Sequence, residues 1–245
     1  MFYRVILSFV AAVAILFGST SATLANDSKD TANSQKRAGA VLVPLNIAIL
    51  VQDDLISQVG NEMNLTRDFI RSLPQGSRVM VGYIRSGSLQ VRQPFTTDLD
   101  RAARSLRIPV SSTAAAPFNP YVEVIDALRK FDPQWKGTNA VLLISDGLDT
   151  SRGFDSTSAA NTLDLHRAIE QANDRNVAVF AFYAPSVGLT SRSRLAASYG
   201  QSSLNRIANE TGGKAFFQGT TGFVSFDSHF RRLKETINAQ YARAS

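Results

Sequence analysis

Leu45-Asn-Ile-Ala-Ile-Leu-Val51 and Asn139-Ala-Val-Leu-Leu-Ile-Ser145 decide the fold. Each is a short apolar run rich in branched residues, the mark of a strand covered on both faces. From Gln58 to Leu73 the apolar residues Val59, Met63, Phe69, Ile70 and Leu73 recur mostly at helical spacing, and Pro74-Gln75-Gly76 stops the pattern. A helix therefore packs beside the first strand. Arg78 to Arg85 and Leu89 to Phe95 are strand-like runs separated only by Ser86-Gly87-Ser88, too short for a crossover, so they pair antiparallel and the second forms an edge. Short helices are expected from Thr97-Asp98 to about Leu106 and from Pro120 to Phe131, with a Ser/Ala-rich linker from Ser111 to Ala116 between them. Further on, the pattern predicts a helix over Leu163 to Arg175, a buried strand over Val177 to Ala184 and a helix over Leu204 to Glu210. Thr211-Gly212-Gly213 then turns into a short strand at Lys214 to Phe217. A closing helix from Val224 to Tyr241 carries Phe226, Phe230, Leu233 and Ile237 on one face. Strands alternating with helices make an α/β fold: a doubly wound, mostly parallel sheet with one antiparallel edge strand and helices on both faces.

The amino terminus reads as a targeting segment outside this fold. Met1 to Arg4 is a short positive start, and Val5 to Phe17 is an apolar run broken only by Ser8, the length of a signal-peptide core rather than of a spanning helix. Small residues follow, offering cleavage after Ala22 or Ala25; an uncleaved anchor is the alternative. Residues 1–25 are thus expected to direct export to a periplasmic or extracellular space, residues 26–40 to form a disordered polar spacer, and residues 41–245 to fold. No later stretch is apolar enough to span a bilayer. The 245 residues contain no Cys and two His, which excludes a disulfide framework, thiol chemistry and Cys-type zinc sites. The net charge of +6 is scattered over helix faces without interleaved aromatic residues, so nucleic-acid binding is not expected.

In doubly wound sheets ligands bind outside the carboxyl ends of the strands, where strand order reverses. Gln52-Asp53-Asp54-Leu55-Ile56-Ser57 follows the first strand, and Asp146-Gly147-Leu148-Asp149-Thr150 follows the strand ending at Ser145. Two groups of carboxylates and hydroxyls therefore converge on one edge. Oxygen-only donors of this kind suit Mg²⁺ or another hard divalent cation; the same aspartates can instead cap loops by accepting backbone N–H bonds. Asp149 and Asp155 read as loop residues. His166 and His229 read as ordinary surface or half-buried helix residues. No glycine-rich nucleotide loop is present, and no nucleophile, base and orienter form a set, so an enzyme is not expected.

From Leu45 to Tyr241 the chain resembles a von Willebrand factor type A (vWA) domain, and most of all the vWA-related branch of exported bacterial proteins. The resemblance rests on the Asp and Ser after the first strand, on Phe69-Ile-Arg-Ser-Leu-Pro-Gln-Gly-Ser-Arg-Val-Met-Val-Gly-Tyr83, on Leu142-Leu-Ile-Ser-Asp-Gly147 and on Leu204-Asn-Arg-Ile-Ala-Asn-Glu-Thr-Gly-Gly-Lys-Ala-Phe-Phe217, in that order. It implies a non-catalytic protein-binding module. It also implies a metal-ion-dependent adhesion site, in which Asp-x-Ser-x-Ser, a Thr and a later Asp hold Mg²⁺, and an acidic side chain of a protein partner completes the shell. Asp53, Ser57 and Asp146 match the first, last and later positions, while Leu55 stands at the middle Ser and the Thr has no clean counterpart. Asp54 and Asn119 are further oxygen donors. A second register puts Gln52 at the first Asp and Asp54 at the middle Ser. Two other functions follow from the same residues: a structural scaffold without metal, and a Mg²⁺-dependent phosphoester enzyme built on Gln52-Asp53-Asp54, against which stands the lack of a Lys after Val177 to Ala184.

Overall fold

The computed structural model describes residues 41–135, 137–154, 162–219 and 224–244. Residues 1–40, on which the export and spacer expectations fall, and Asp155 lie outside the described residues. The sheet has six strands: β1 (Leu45–Gln52), β2 (Arg78–Arg85), β3 (Ser88–Thr96), β4 (Thr138–Ser145), β5 (Val177–Tyr183) and β6 (Ala215–Phe216). Their order is β3-β2-β1-β4-β5-β6. All neighbours are parallel except β2 and β3. The helices are α1 (Val59–Arg71), α2 (Leu99–Ser105), α3 (Pro120–Leu128), α4 (Leu163–Asp174), α5 (Arg194–Glu210) and α6 (Asp227–Ala244).

Strand alternation divides the core in two. Leu45, Ile47, Ile49 and Val51 of β1 face a layer that holds Met63, Phe69 and Ile70 of α1, Ala102 and Ala103 of α2 and Phe230 and Leu233 of α6. Ala48 and Leu50 face the other layer, with Tyr121 and Val124 of α3, Leu165 and Ala168 of α4 and Leu204 and Ile207 of α5. Every residue of β1 is buried, the apolar run Ile47 to Val51 together with the polar Asn46 and Gln52. Helix starts are set by side-chain caps: Asp98 accepts from Arg101 N, Asn119 from Tyr121 N, Thr162 from Leu165 N and Ser193 from Ala196 N. β3 is the antiparallel edge and carries Pro94, which an edge strand tolerates because one of its sides has no ladder to serve.

Two features differ from the sequence reading. α5 starts at Arg194, ten residues before Leu204, because Ser193 caps it and its first half packs through small residues, Ala196, Ala197 and Gly200, in place of a large apolar stripe. The Ser/Ala linker contains a 3-10 turn at Thr113–Ala115, capped by Ser112. No helix among the described residues is long and apolar enough to cross a membrane.

Candidate binding site at the carboxyl end of the sheet

β1 and β4 lie side by side in register from Leu45↔Thr138 to Val51↔Ile144, and from this pair the chain winds outward in opposite directions. The strand ends therefore frame the crevice where this topology places ligands. Gln52 bridges it. Its Oε1 accepts from Ser145 Oγ and, at 3.2 Å, from Asp146 N, while its Nε2 donates to Asp54 Oδ1 at 2.7 Å. Asp146 Oδ1 accepts from Leu148 N at 3.1 Å and Oδ2 from the Thr190 hydroxyl at 3.0 Å. Thr190 is itself fixed by Ser186 N at 2.8 Å.

The loop after β5 is clasped to the loop after β1. Ile56 N donates to Pro185 O, Val187 N donates to Asp54 O, and Leu55 bridges Ser186. On the other side, Gly147 and Gly200 let α5 approach the end of β4. A Cβ on Gly200 would fall 1.9 Å from Asp146 O, and Gly147 has φ +69° with Leu204 packed against it. Only glycine fits either position. Tyr121 on α3 donates to Gly147 O at 2.7 Å and completes the support.

A cavity of about 210 Å³ opens here, and its lining includes Gln52, Asp54, Thr113, Phe118, Asp146 and Leu189. Burial, and then the charge of Asp146, pushes the Asp54 carboxyl up to about 7, against the hydrogen bond from Gln52. Burial likewise raises the Asp146 carboxyl, which its hydrogen bonds oppose. Neither aspartate has an ion pair among the described residues. Asp54 Oδ2 accepts no hydrogen bond from them.

The structure does not bring Asp53, Ser57 and Asp146 together. Asp53 continues the odd-numbered face of β1, so its side chain leaves on the α2 side and meets Arg107, which donates from both guanidinium nitrogens at 2.6 and 2.8 Å. Arg85 stands 3.5 Å away, and Val110 N donates to Asp53 Oδ1 at 2.9 Å. Ser57 is exposed in the turn before α1, where its carbonyl accepts from Gly60 N. Asn119 is an N-cap whose amide nitrogen donates to Asp164 at 2.8 Å. The second register is the one whose side chains meet at the crevice: Gln52 and Asp54 share the even-numbered face. Thr190 gave no sequence signal, because it reaches Asp146 across 44 residues from an ordinary turn.

The donors do not fit a resident Mg²⁺. The resemblance asks for a carboxylate where Gln52 stands, and that amide spends its oxygen on Ser145 and Asp146 N and turns its N–H toward Asp54. In that register it asks for hydroxyls at positions 54 and 56, where Asp54 and Ile56 stand, and in the Asp53 register the middle hydroxyl is replaced by Leu55 while Ser57 is exposed away from the crevice. Among the described residues no three carboxylate or imidazole groups converge. An octahedral cation wants about six oxygens, and here the carboxylate oxygens other than Asp54 Oδ2 already accept bonds.

No family model matches the sequence, and no curated protein is significantly similar to it. Solved structures are similar in fold. An aerotolerance-related membrane protein from Bacteroides fragilis is 15% identical over 80% of this chain and 99% of that one, with a TM-score of 0.55. A conserved hypothetical protein, BatB, from Bacteroides thetaiotaomicron is 17% identical over 82% and 99%, with a TM-score of 0.52. The SpRpn10 VWA domain is 10% identical over 81% and 95%, with a TM-score of 0.45. With its strand order, its single antiparallel edge and helices on both faces, this chain has a von Willebrand factor type A-like fold.

Proposed function

We propose that this protein is an exported, non-catalytic protein-binding module whose contact face is the carboxyl end of the sheet, working without a resident cation. The observation that carries the reading is the mouth of the crevice. Phe118 is 63% exposed and Leu189 43%, both lining the cavity above Asp54. Ile108 and Val110, also exposed, stand on the segment that Asp53 and Arg107 hold at the same end. Apolar side chains presented around a polar floor are what a partner desolvates on binding. Their backbone is tied down: Thr150 N and its hydroxyl both bond Phe118 O, so the ring is offered by an ordered loop. Export is supported by residues 1–25 as read from the sequence, and one structural neighbour is described as a membrane protein.

A photo-crosslinking residue at position 118, in cells that export the full chain, tests the reading. Discrete protein adducts from position 118, absent when the probe replaces Leu42 just before the amino end of β1, are expected. The absence of adducts from 118 overturns it. Amino-terminal sequencing of the exported chain, expected to begin at Thr23 or Asn26, checks the targeting segment separately.

A further inference from the structure

Resting on that reading, we propose that the cavity above Asp54 takes a lysine side chain of the protein partner, the ammonium meeting Asp54 and the methylene stem lying between Phe118 and Leu189. The charge bookkeeping of the three neighbouring aspartates carries this. Asp53 is spent on Arg107 and Arg85. Asp146 has each oxygen bonded, to Leu148 N and to Thr190. Among the described residues Asp54 alone of the three has an oxygen, Oδ2, that accepts no hydrogen bond, while the residue is only 3% exposed and lines an open cavity. Asp54 Oδ2 is not one of the fully buried unpartnered atoms, so it faces the open cavity, and an external cation placed there offsets the burial of the rest of the carboxylate.

The geometry prefers ammonium to guanidinium. An arginine pairs best with both oxygens of one carboxylate, side by side. Gln52 Nε2 already holds Asp54 Oδ1 at 2.7 Å, so that fork has one prong blocked. An ammonium is a compact charge with three rotatable donors and needs one strong acceptor plus neutral oxygens. Asp54 Oδ2 is the first, and the hydroxyls of Thr113 and Ser186, which also line the cavity, are available as the second. The walls suit the stem, since Pro117, Phe118, Leu148 and Leu189 are apolar and lysine buries its methylenes along such surface. The expected partner thus has the opposite charge to the acidic side chain that a metal-loaded adhesion site would take.

The test is a selection of displayed random nine-residue peptides on the full chain, counter-selected on the Phe118→Asp variant and run with EDTA and again with Mg²⁺. Enriched peptides are expected to share a lysine flanked by apolar residues. Replacing that lysine by norleucine, which keeps the stem and removes the charge, is expected to weaken binding about tenfold or more. Arginine at the same place is expected to weaken it several-fold, and Asp54→Asn to match the norleucine loss. The norleucine comparison needs no protein variant, so it stands even if Asp54→Asn misfolds. Phe118-dependent peptides that are indifferent to norleucine, or acidic peptides that bind only with Mg²⁺, overturn the lysine inference and leave the docking face intact. If no peptide depends on Phe118, the docking face falls with it.

Discussion

Replacing Arg107 by Met tests whether Asp53 is a structural ion-pair partner or a residue free for ligands. Asp53 has a fully buried side chain, and Arg107 meets both of its oxygens, at 2.6 and 2.8 Å. Breaking a buried pair by removing one partner costs about 3–5 kcal/mol, because the other charge is stranded. Two features lower that figure here. Arg107 is 27% exposed, so water follows its removal, and Arg85 remains 3.5 Å from the carboxylate. Loss of the guanidinium from its place 4.0 Å over the Tyr83 ring works the other way, at about 0.5–1 kcal/mol. The expected cost is about 3 kcal/mol. Urea unfolding of the full chain at neutral pH, with an unchanged denaturant slope, reads it. The Asp53→Asn/Arg107→Met double variant is expected to recover part of the loss, with a coupling of about 2 kcal/mol. A loss under about 0.5 kcal/mol, or two strictly additive single effects, would refute the claim that Arg107 neutralises Asp53 and return Asp53 to the list of candidate ligands.

Four further outcomes are expected. Gly200→Ala puts a methyl against Asp146 O and should cost more than the about 1–3 kcal/mol of ordinary overpacking, since backbone cannot step aside; a thermal melt close to the parent contradicts this. Glu123 is buried with no partner for Oε2 among the described residues, and burial lifts its carboxyl to about 7, above its ordinary value, so its contribution is full at acid pH and is lost as pH rises through 7. The advantage of Glu123→Gln over the parent should therefore grow between pH 4.5 and 8, to an upper bound of about 3 kcal/mol, and a pH-independent difference sinks the argument. His229 behaves in the opposite sense: burial, then Arg232, lowers it to about 4, so its contribution is present above 6.5 and lost as pH falls toward 4, a loss that His229→Phe should remove in pH-dependent melts. Calorimetric titration of Mg²⁺, Mn²⁺ and Ca²⁺ should give no saturable heat at millimolar metal; tight binding abolished by Asp146→Ala would overturn the reading of the donors.

The sheet is legible in the sequence because its signal is local. β1, β4 and β5 carry unbroken apolar runs through their middles, Ile47 to Val51, Ala140 to Ile144 and Val177 to Tyr183, as strands covered on both faces do. The first half of α5 is not legible by the same means. It meets the end of β4 through Gly200, and close approach selects for the absence of side chain, which erases the apolar stripe that marks a helix. His229 shows the limit from the other side. Read as a surface or half-buried residue, it is 3% exposed among Phe182, Phe216 and Phe226, because α6 turns that face toward β5 and β6. Which way a helix turns is fixed by its contacts, and the sequence of the helix alone does not state them.

The site turns on parity. Asp53 and Asp54 are adjacent and chemically identical, yet a strand sends neighbours to opposite faces, so one meets Arg107 and the other meets the crevice. Counting from Ala48 and Leu50, which face the α3–α5 layer, Gln52 and Asp54 fall on the even side and Asp53 on the odd. That count is available from the sequence, and it favours the register in which Gln52 stands first. What the count does not supply is the partner of each aspartate, since Arg107 lies 54 residues from Asp53 and Thr190 lies 44 from Asp146. Those distant donors decide the chemistry. An aspartate given a guanidinium becomes part of the framework, and one given a hydroxyl and a backbone amide becomes a fixed negative wall. The one that, among the described residues, is given only an amide from its own strand keeps an acceptor oxygen in the cavity, and there the proposed partner's charge lowers the energy of the whole face.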